Sequence, residues 1–96
     1  MFKFKVNQYF DGNVMSFGIT ESRGPATVGV MKAGEYEFGT SAREEMTLIA
    51  GEWQVKLPGT DVWVDYAVGQ TYEVVANAKF GVKALVECAY LCRYDA

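Results

Sequence analysis

Apolar and polar residues alternate with a period of two along almost the whole 96-residue chain, and turn-forming residues break the alternation about every ten residues. No 11-residue window carries the apolar stripe of a helix, so the pattern predicts an all-β chain. Nine short strands are expected, over residues 14–20, 27–32, 35–39, 46–50, 52–57, 62–66, 71–75, 80–86 and 89–94. Between them stand Asp11-Gly12, Arg23-Gly24-Pro25, Ala33-Gly34, Gly51, Pro58-Gly59-Thr60-Asp61, Gly69 and Asn77, the residue types that turns require. Strands this short and this evenly spaced predict an antiparallel sandwich or barrel. A chain of this length holds one core, so residues 1–96 are expected to form a single domain.

Two strands say more. Trp53, Val55 and Leu57 alternate with Gln54 and Lys56, which predicts one dry and one wet face. In the last strand Ala89, Leu91 and Arg93 share one face, and Tyr90, Cys92 and Tyr94 share the other. Both faces are largely apolar, so this strand is expected either at the centre of the sandwich or under a second subunit. Small chains often gain stability by pairing, and a homodimer is expected.

The net charge of −3 argues against a general phosphate-backbone binder, because non-specific nucleic-acid affinity rests on many Lys and Arg contacts. It leaves room for one small anion. The stretch MFKFKVNQYF alternates apolar and basic residues without a continuous apolar run, and no segment reaches the roughly 18 apolar residues of a membrane span. A cytoplasmic protein is expected. Cys88 and Cys92 share a strand face about 13 Å apart, beyond the roughly 7 Å between Cα atoms that a disulfide allows. They are read as reduced thiols. Two cysteines with no histidine make a structural zinc site a poor fit.

The segment FGTSAREEMTLIAGEW, residues 38–53, resembles the first motif of the cupins, small jelly-roll barrels. Glu44, followed by Gly51, fits the glutamate and glycine of that motif, while Phe38 and Thr40 stand where its two histidines would be. In the second motif Gly69 fits the glycine, Val75 replaces a proline and Phe80 replaces a histidine. If the fold is cupin-like, Phe38, Thr40, Glu44 and Phe80 meet where other cupins hold a metal. One carboxylate, one hydroxyl and two phenyl rings are a poor ligand set for a first-row metal. They suit a flat molecule with polar edges, which rings can stack and polar groups can orient.

A closer resemblance covers nearly the whole chain. The segments Tyr9-Phe10, Ala26-Thr27-Val28-Gly29-Val30-Met31, Gly34-Glu35-Tyr36-Glu37-Phe38, Glu44-Glu45-Met46-Thr47 and Tyr90-Leu91-Cys92-Arg93-Tyr94 resemble the small cupin-type pyrimidine/purine nucleoside phosphorylases. One departure is Val75-Ala76, where that family tends to have Pro-Gly. The resemblance implies a metal-free cupin-like jelly roll that uses phosphate as co-substrate, with no cofactor, to convert nucleosides to a free base and a pentose 1-phosphate.

Such a reaction needs donors for phosphate, a carboxylate for the sugar or for positive charge at C1′, and a stacking surface for the base. Arg93 is the expected phosphate ligand, because guanidinium offers two parallel donors on an otherwise apolar face. The alternative is a structural arginine paired with Glu44 or Glu45. Thr40 and Ser41 are expected to add hydroxyl donors; Arg23 and Lys32 are weaker choices. Glu44 is expected in the sugar or C1′ role and Glu45 second, because adjacent strand residues point to opposite faces. Phe38, Phe80 and Tyr36 are expected to stack the base. A non-catalytic cupin-type module that binds a small metabolite or serves as a dimeric scaffold would use the same pocket. Phosphate-dependent turnover separates the two.

Overall fold

The computed structural model describes residues 3–94, which contain ten strands and no helix. They are β1 (Lys5–Tyr9), β2 (Val14–Glu21), β3 (Gly24–Met31), β4 (Gly34–Gly39), β5 (Glu44–Ala50), β6 (Trp53–Lys56), β7 (Val64–Tyr66), β8 (Thr71–Val74), β9 (Lys79–Ala84) and β10 (Cys88–Tyr94). Six form one sheet in the order β1-β2-β3-β10-β5-β8, and four form a second in the order β4-β9-β6-β7. Every neighbouring pair is antiparallel. The two sheets face each other as a sandwich and are not joined into one continuous barrel ladder.

Nine of the ten strands overlap those expected from the alternation. The exception is β1, whose residues Lys5, Val6, Asn7, Gln8 and Tyr9 are largely exposed. Its cross-strand partners place Lys5 and Asn7 on the inward side of the sheet, so the strand carries no apolar alternation to read. It is held by pairing with β2 and by a 3.2 Å hydrogen bond from Asn7 Nδ2 to Ser16 Oγ.

Core residues follow the predicted parity. Trp53, Val55, Leu48, Val82, Val74, Val14 and Met31 are almost wholly buried between the sheets. Their aromatic neighbours form a chain of ring contacts: Tyr90 to Trp53 at 6.2 Å, Trp53 to Tyr72 at 5.9 Å, Tyr72 to Phe80 at 6.1 Å and Phe80 to Phe38 at 5.6 Å. The strand with two apolar faces, β10, lies at the centre of the larger sheet between β3 and β5. Its inward face supplies Cys88, Tyr90 and Cys92 to the core, and both cysteines are free thiols.

The outward face of the larger sheet is also apolar. Cross-strand pairing aligns Val6, Phe17, Val28 and Leu91 in one row and Met15, Val30 and Ala89 in the next. Val6, Phe17, Val28, Val30 and Ile49 all count among the exposed large hydrophobics.

Gly51, in the turn between β5 and β6, has φ of +104°, and a Cβ there would lie 2.6 Å from the Glu87 carbonyl oxygen and 2.9 Å from the Cys88 Cα. Both are backbone atoms and cannot swing aside. Gly51→Ala therefore combines a left-handed φ with a backbone clash, and each effect costs about 1–3 kcal/mol. Thermal unfolding should show a fall in Tm of about 8 °C or more. A Tm within about 2 °C of wild type would mean that the turn relaxes freely.

Candidate functional site

The site forms between the two sheets, beside the turn that joins β1 to β2. Pairing of β4 with β9 sets Phe38 opposite Phe80, and their rings stack with centroids 5.6 Å apart. Across the gap, Glu44 opens β5, opposite Val74 of β8 and Tyr94 of β10. Between these walls lies a cavity of about 240 Å³ whose lining includes Phe38, Phe80, Glu44, Cys92, Tyr94 and Phe10.

Glu44 is the cavity carboxylate whose ionisation burial disfavours. Burial pushes its carboxyl above the usual range, and the hydrogen bond from Cys92, Sγ to Oε1 at 3.5 Å, acts in the opposite direction. Burial also pushes the Cys92 thiol up to about 12, with the charge of Glu44 adding to the effect. Cys92 is therefore a neutral, unreactive donor near neutral pH. Tyr94 shares a 3.0 Å hydroxyl–hydroxyl hydrogen bond with Thr27, and its phenol is raised mainly by burial. Tyr90 is pushed up to about 12 for the same reason. The polar side of the cavity thus presents one destabilised carboxylate among neutral hydroxyl and thiol groups, opposite a wall of phenyl rings.

Of the residues expected in a site, Glu44, Phe38 and Phe80 come together here. Tyr36 joins them from behind: its ring is 6.1 Å from Phe38, and its hydroxyl donates to the Lys32 carbonyl at 2.8 Å. The parity that groups Tyr36 with Phe38 holds, because β4 has no bulge. Thr40 does not line the cavity. Its hydroxyl donates to the Val75 carbonyl at 2.7 Å and accepts from the Ala78 amide at 3.1 Å. It staples the loop before Glu44 to the β8–β9 connection, so its proton and acceptor site are already committed. Ser41 is exposed on that same loop, outside the lining.

Glu45 and Arg93 sit on the opposite face of the sheet from Glu44, and the register sets them directly across from each other. There they belong to a network of ion pairs: Arg23 to Glu45 at 2.7 Å, Arg43 to Glu73 and, at 4.0 Å, to Glu45, and Arg93 Nε to Glu21 at 3.0 Å. The structural alternative for Arg93 names Glu44 or Glu45 as its partner, whereas the bonded carboxylate is Glu21. Among the described residues, no lysine or arginine lines the cavity. Lys32 pairs with Glu87 at 2.7 Å, outside the lining.

Phe10, Tyr94 and Cys92 are not singled out for the site by the sequence. Tyr94 and Cys92 are legible as one strand face with Tyr90, but nothing local ties that face to Glu44. Among the described residues, no group of three or more His, Cys, Asp or Glu side chains is placed to hold a metal ion. Glu44 beside a neutral thiol and phenols, with the other lining carboxylate, Glu37, paired to Lys79, does not fit such a role.

Comparison with known proteins agrees with this architecture. A family model described as pyrimidine/purine nucleoside phosphorylase matches residues 4–94. A protein of that name from Pseudomonas aeruginosa strain LESB58 is 56% identical over 91 residues, covering 95% of this chain and 98% of its own. One from Pseudomonas syringae pv. syringae strain B728a is 55% identical over the same shares of the two chains. Among solved structures, a Vibrio parahaemolyticus protein of unknown function superposes with a TM-score of 0.92 at 40% identity, covering 97% of this chain and 99% of that one. An RmlC-like cupin from Shewanella frigidimarina, at 13% identity and a TM-score of 0.70, covers 94% of this chain and 81% of that one, and shares the fold. A cupin-like β-sandwich matched over nearly its whole length, by the family model and by relatives more than half identical, belongs to the pyrimidine/purine nucleoside phosphorylase family.

Proposed function

We propose that the cavity between Phe38, Phe80 and Glu44 is where this chain cleaves purine and pyrimidine nucleosides with phosphate. The observation that carries the reading is a half-buried carboxylate facing an aromatic wall, in a chain of this family. In the reaction a phosphate oxygen bonds to C1′ as the C1′–N bond breaks. The electron pair of that bond stays on the base nitrogen, which takes up a proton, and the sugar gathers positive charge in between. Phe38 and Phe80 offer faces for the base, and stacking tolerates purines and pyrimidines alike. Glu44 holds the sugar hydroxyls and stabilises the charge growing at C1′. A carboxylate lifted out of water acts more strongly on such a charge than a solvated one. In the lining, phosphate would meet the Ser16 hydroxyl and the Thr27–Tyr94 hydroxyl pair, which has one proton left over from its mutual bond.

Arg93 is then a structural residue that ties β10 to Glu21 on the outer face. A single half-buried ion pair on a sheet face contributes about 1 kcal/mol or less, so Arg93→Met is expected to lower Tm by about 8 °C or less. The folded enzyme should keep near-normal turnover and phosphate KM. A large fall in phosphate-dependent turnover, or a large rise in phosphate KM, with Tm unchanged would return Arg93 to the phosphate site.

The same reading includes a homodimer built on the apolar outer face of the larger sheet and a cytoplasmic location. No helix among the described residues is long and apolar enough to cross a membrane. The test of function is base release from a panel of purine and pyrimidine nucleosides, with and without phosphate, in the presence of a chelator. Release that requires phosphate and survives chelation supports the reading. Binding without release would make the chain a metabolite-binding module, and restoration by one added metal would overturn the metal-free mechanism.

A further inference from the structure

The β1–β2 hairpin turns through two consecutive non-glycine residues in the left-handed region, Phe10 at φ +53° and Asp11 at φ +58°. Gly12 follows at +83°, and its amide donates to the Tyr9 carbonyl at 3.1 Å. Turns of this hand normally carry Asn or Gly, because a side chain there crowds the backbone. A bulky aromatic at such a position is uncommon, and in native proteins such residues gather at functional sites.

This strain leaves Phe10 only half-buried. It is 43% exposed, yet its ring is not loose. It sits 5.0 Å from the Tyr36 ring and edge-on to Phe38 at 5.5 Å, on the lining of the cavity that holds Glu44. The turn is braced on both sides: the Asn13 amide and side chain both donate to the Phe10 carbonyl, at 3.1 and 2.9 Å, and the Lys32 amide donates to the Asn13 carbonyl at 2.8 Å. A rigid turn therefore holds a half-exposed ring over the mouth of the cavity, at right angles to the phenyl wall inside.

From this geometry we infer that Phe10 is a substrate-binding residue, a second aromatic surface that closes over the nucleobase at the cavity mouth. The assignment rests on the nucleoside phosphorylase reading and adds to it the side chain that sets base affinity. A base lying against Phe38 would have its outer edge or face covered by the Phe10 ring.

The turn also gives a test that separates binding from stability. Glycine suits φ +53° better than phenylalanine, so Phe10→Gly removes the ring while relieving the backbone. Three measurements are compared in wild type, Phe10→Gly and Phe10→Tyr: Tm, equilibrium affinity for adenosine and uridine without phosphate, and KM for phosphate in base release. Phe10→Gly is expected to keep or raise Tm and to weaken nucleoside binding about 5- to 150-fold, the range for loss of one base-stacking ring. Its phosphate KM should be unchanged, and Phe10→Tyr should bind as wild type does. Wild-type nucleoside affinity in a folded Phe10→Gly protein would overturn the assignment and leave the activity standing. Absence of phosphate-dependent base release by the wild-type enzyme would overturn the underlying functional reading instead.

Discussion

Glu44→Gln is expected to lower kcat/KM for phosphorolysis by about 10²- to 10³-fold, the usual cost of removing one preorganised electrostatic group from a transition state. Glutamine keeps the shape of the side chain and can still bond a sugar hydroxyl, so most of the loss should fall on kcat rather than on nucleoside KM. Stability should move the other way. Burial raises the folded-state carboxyl above its ordinary value of 4.5, so the folded chain binds more protons than the unfolded one in the window just above 4.5. In that window folding stability falls as pH rises, and the deficit is complete above the folded value. The neutral glutamine carries no such deficit, so the variant should melt at or above the wild-type temperature at neutral pH. At a pH well below 4.5 the two proteins should converge.

The pH profile offers a second readout of the same residue. The acid limb of kcat/KM should lie above the ordinary carboxylate range, because turnover needs Glu44 ionised and burial resists ionisation. In Glu44→Gln that limb should disappear, leaving a low, flat rate. Glu44→Gln turnover within about threefold of wild type would remove this carboxylate from the chemistry, whatever its burial.

The reach of the sequence can be judged on single residues. Period-2 parity separates Glu44 from Glu45 and groups Tyr90 with Cys92 and Tyr94, as the structure has them. Which of the two carboxylates faces inward is settled by the structure, where Glu44 is in phase with the buried Met46 and Leu48. Parity cannot orient β10, because Leu91 and Cys92 are both apolar, and only pairing of Tyr90 with Leu48 and Cys92 with Met46 settles its inner face. That pairing joins segments distant in sequence, so chemical type alone points Arg93 towards phosphate. Motif spacing points Thr40 into the site, but spacing says nothing of the loop carbonyl that takes its hydroxyl. Phe10 lies out of reach for a different reason. Its position depends on a turn conformation that phenylalanine seldom adopts, so no propensity rule points to it.

The apolar outer face of the larger sheet leads to the second large effect, conversion of a homodimer to a monomer by Val30→Glu. Monomeric proteins rarely leave a contiguous apolar surface of this extent in water. Here Val6, Phe17, Val28, Val30 and Ile49 lie on one face, bordered at one end by the ion pairs of Arg23, Arg93, Glu21 and Glu45. An apolar centre with a charged rim is the layout of a protein interface. In the proposed dimer a two-fold partner would bring the same valine and phenylalanine rows against this face. Val30 is 55% exposed in the single chain, so glutamate there is solvated in a monomer and costs the fold little. In a dimer the same carboxylate is buried without a cation, at roughly 3–5 kcal/mol per copy. Two copies meet in a symmetric interface, so the dimer dissociation constant should rise by about 10³-fold or more. Light scattering at micromolar concentration should give a dimer for wild type and a monomer for Val30→Glu, with little change in the fold by circular dichroism. A dimeric Val30→Glu protein would place the interface elsewhere, and a monomeric wild type would show that this face stays in water.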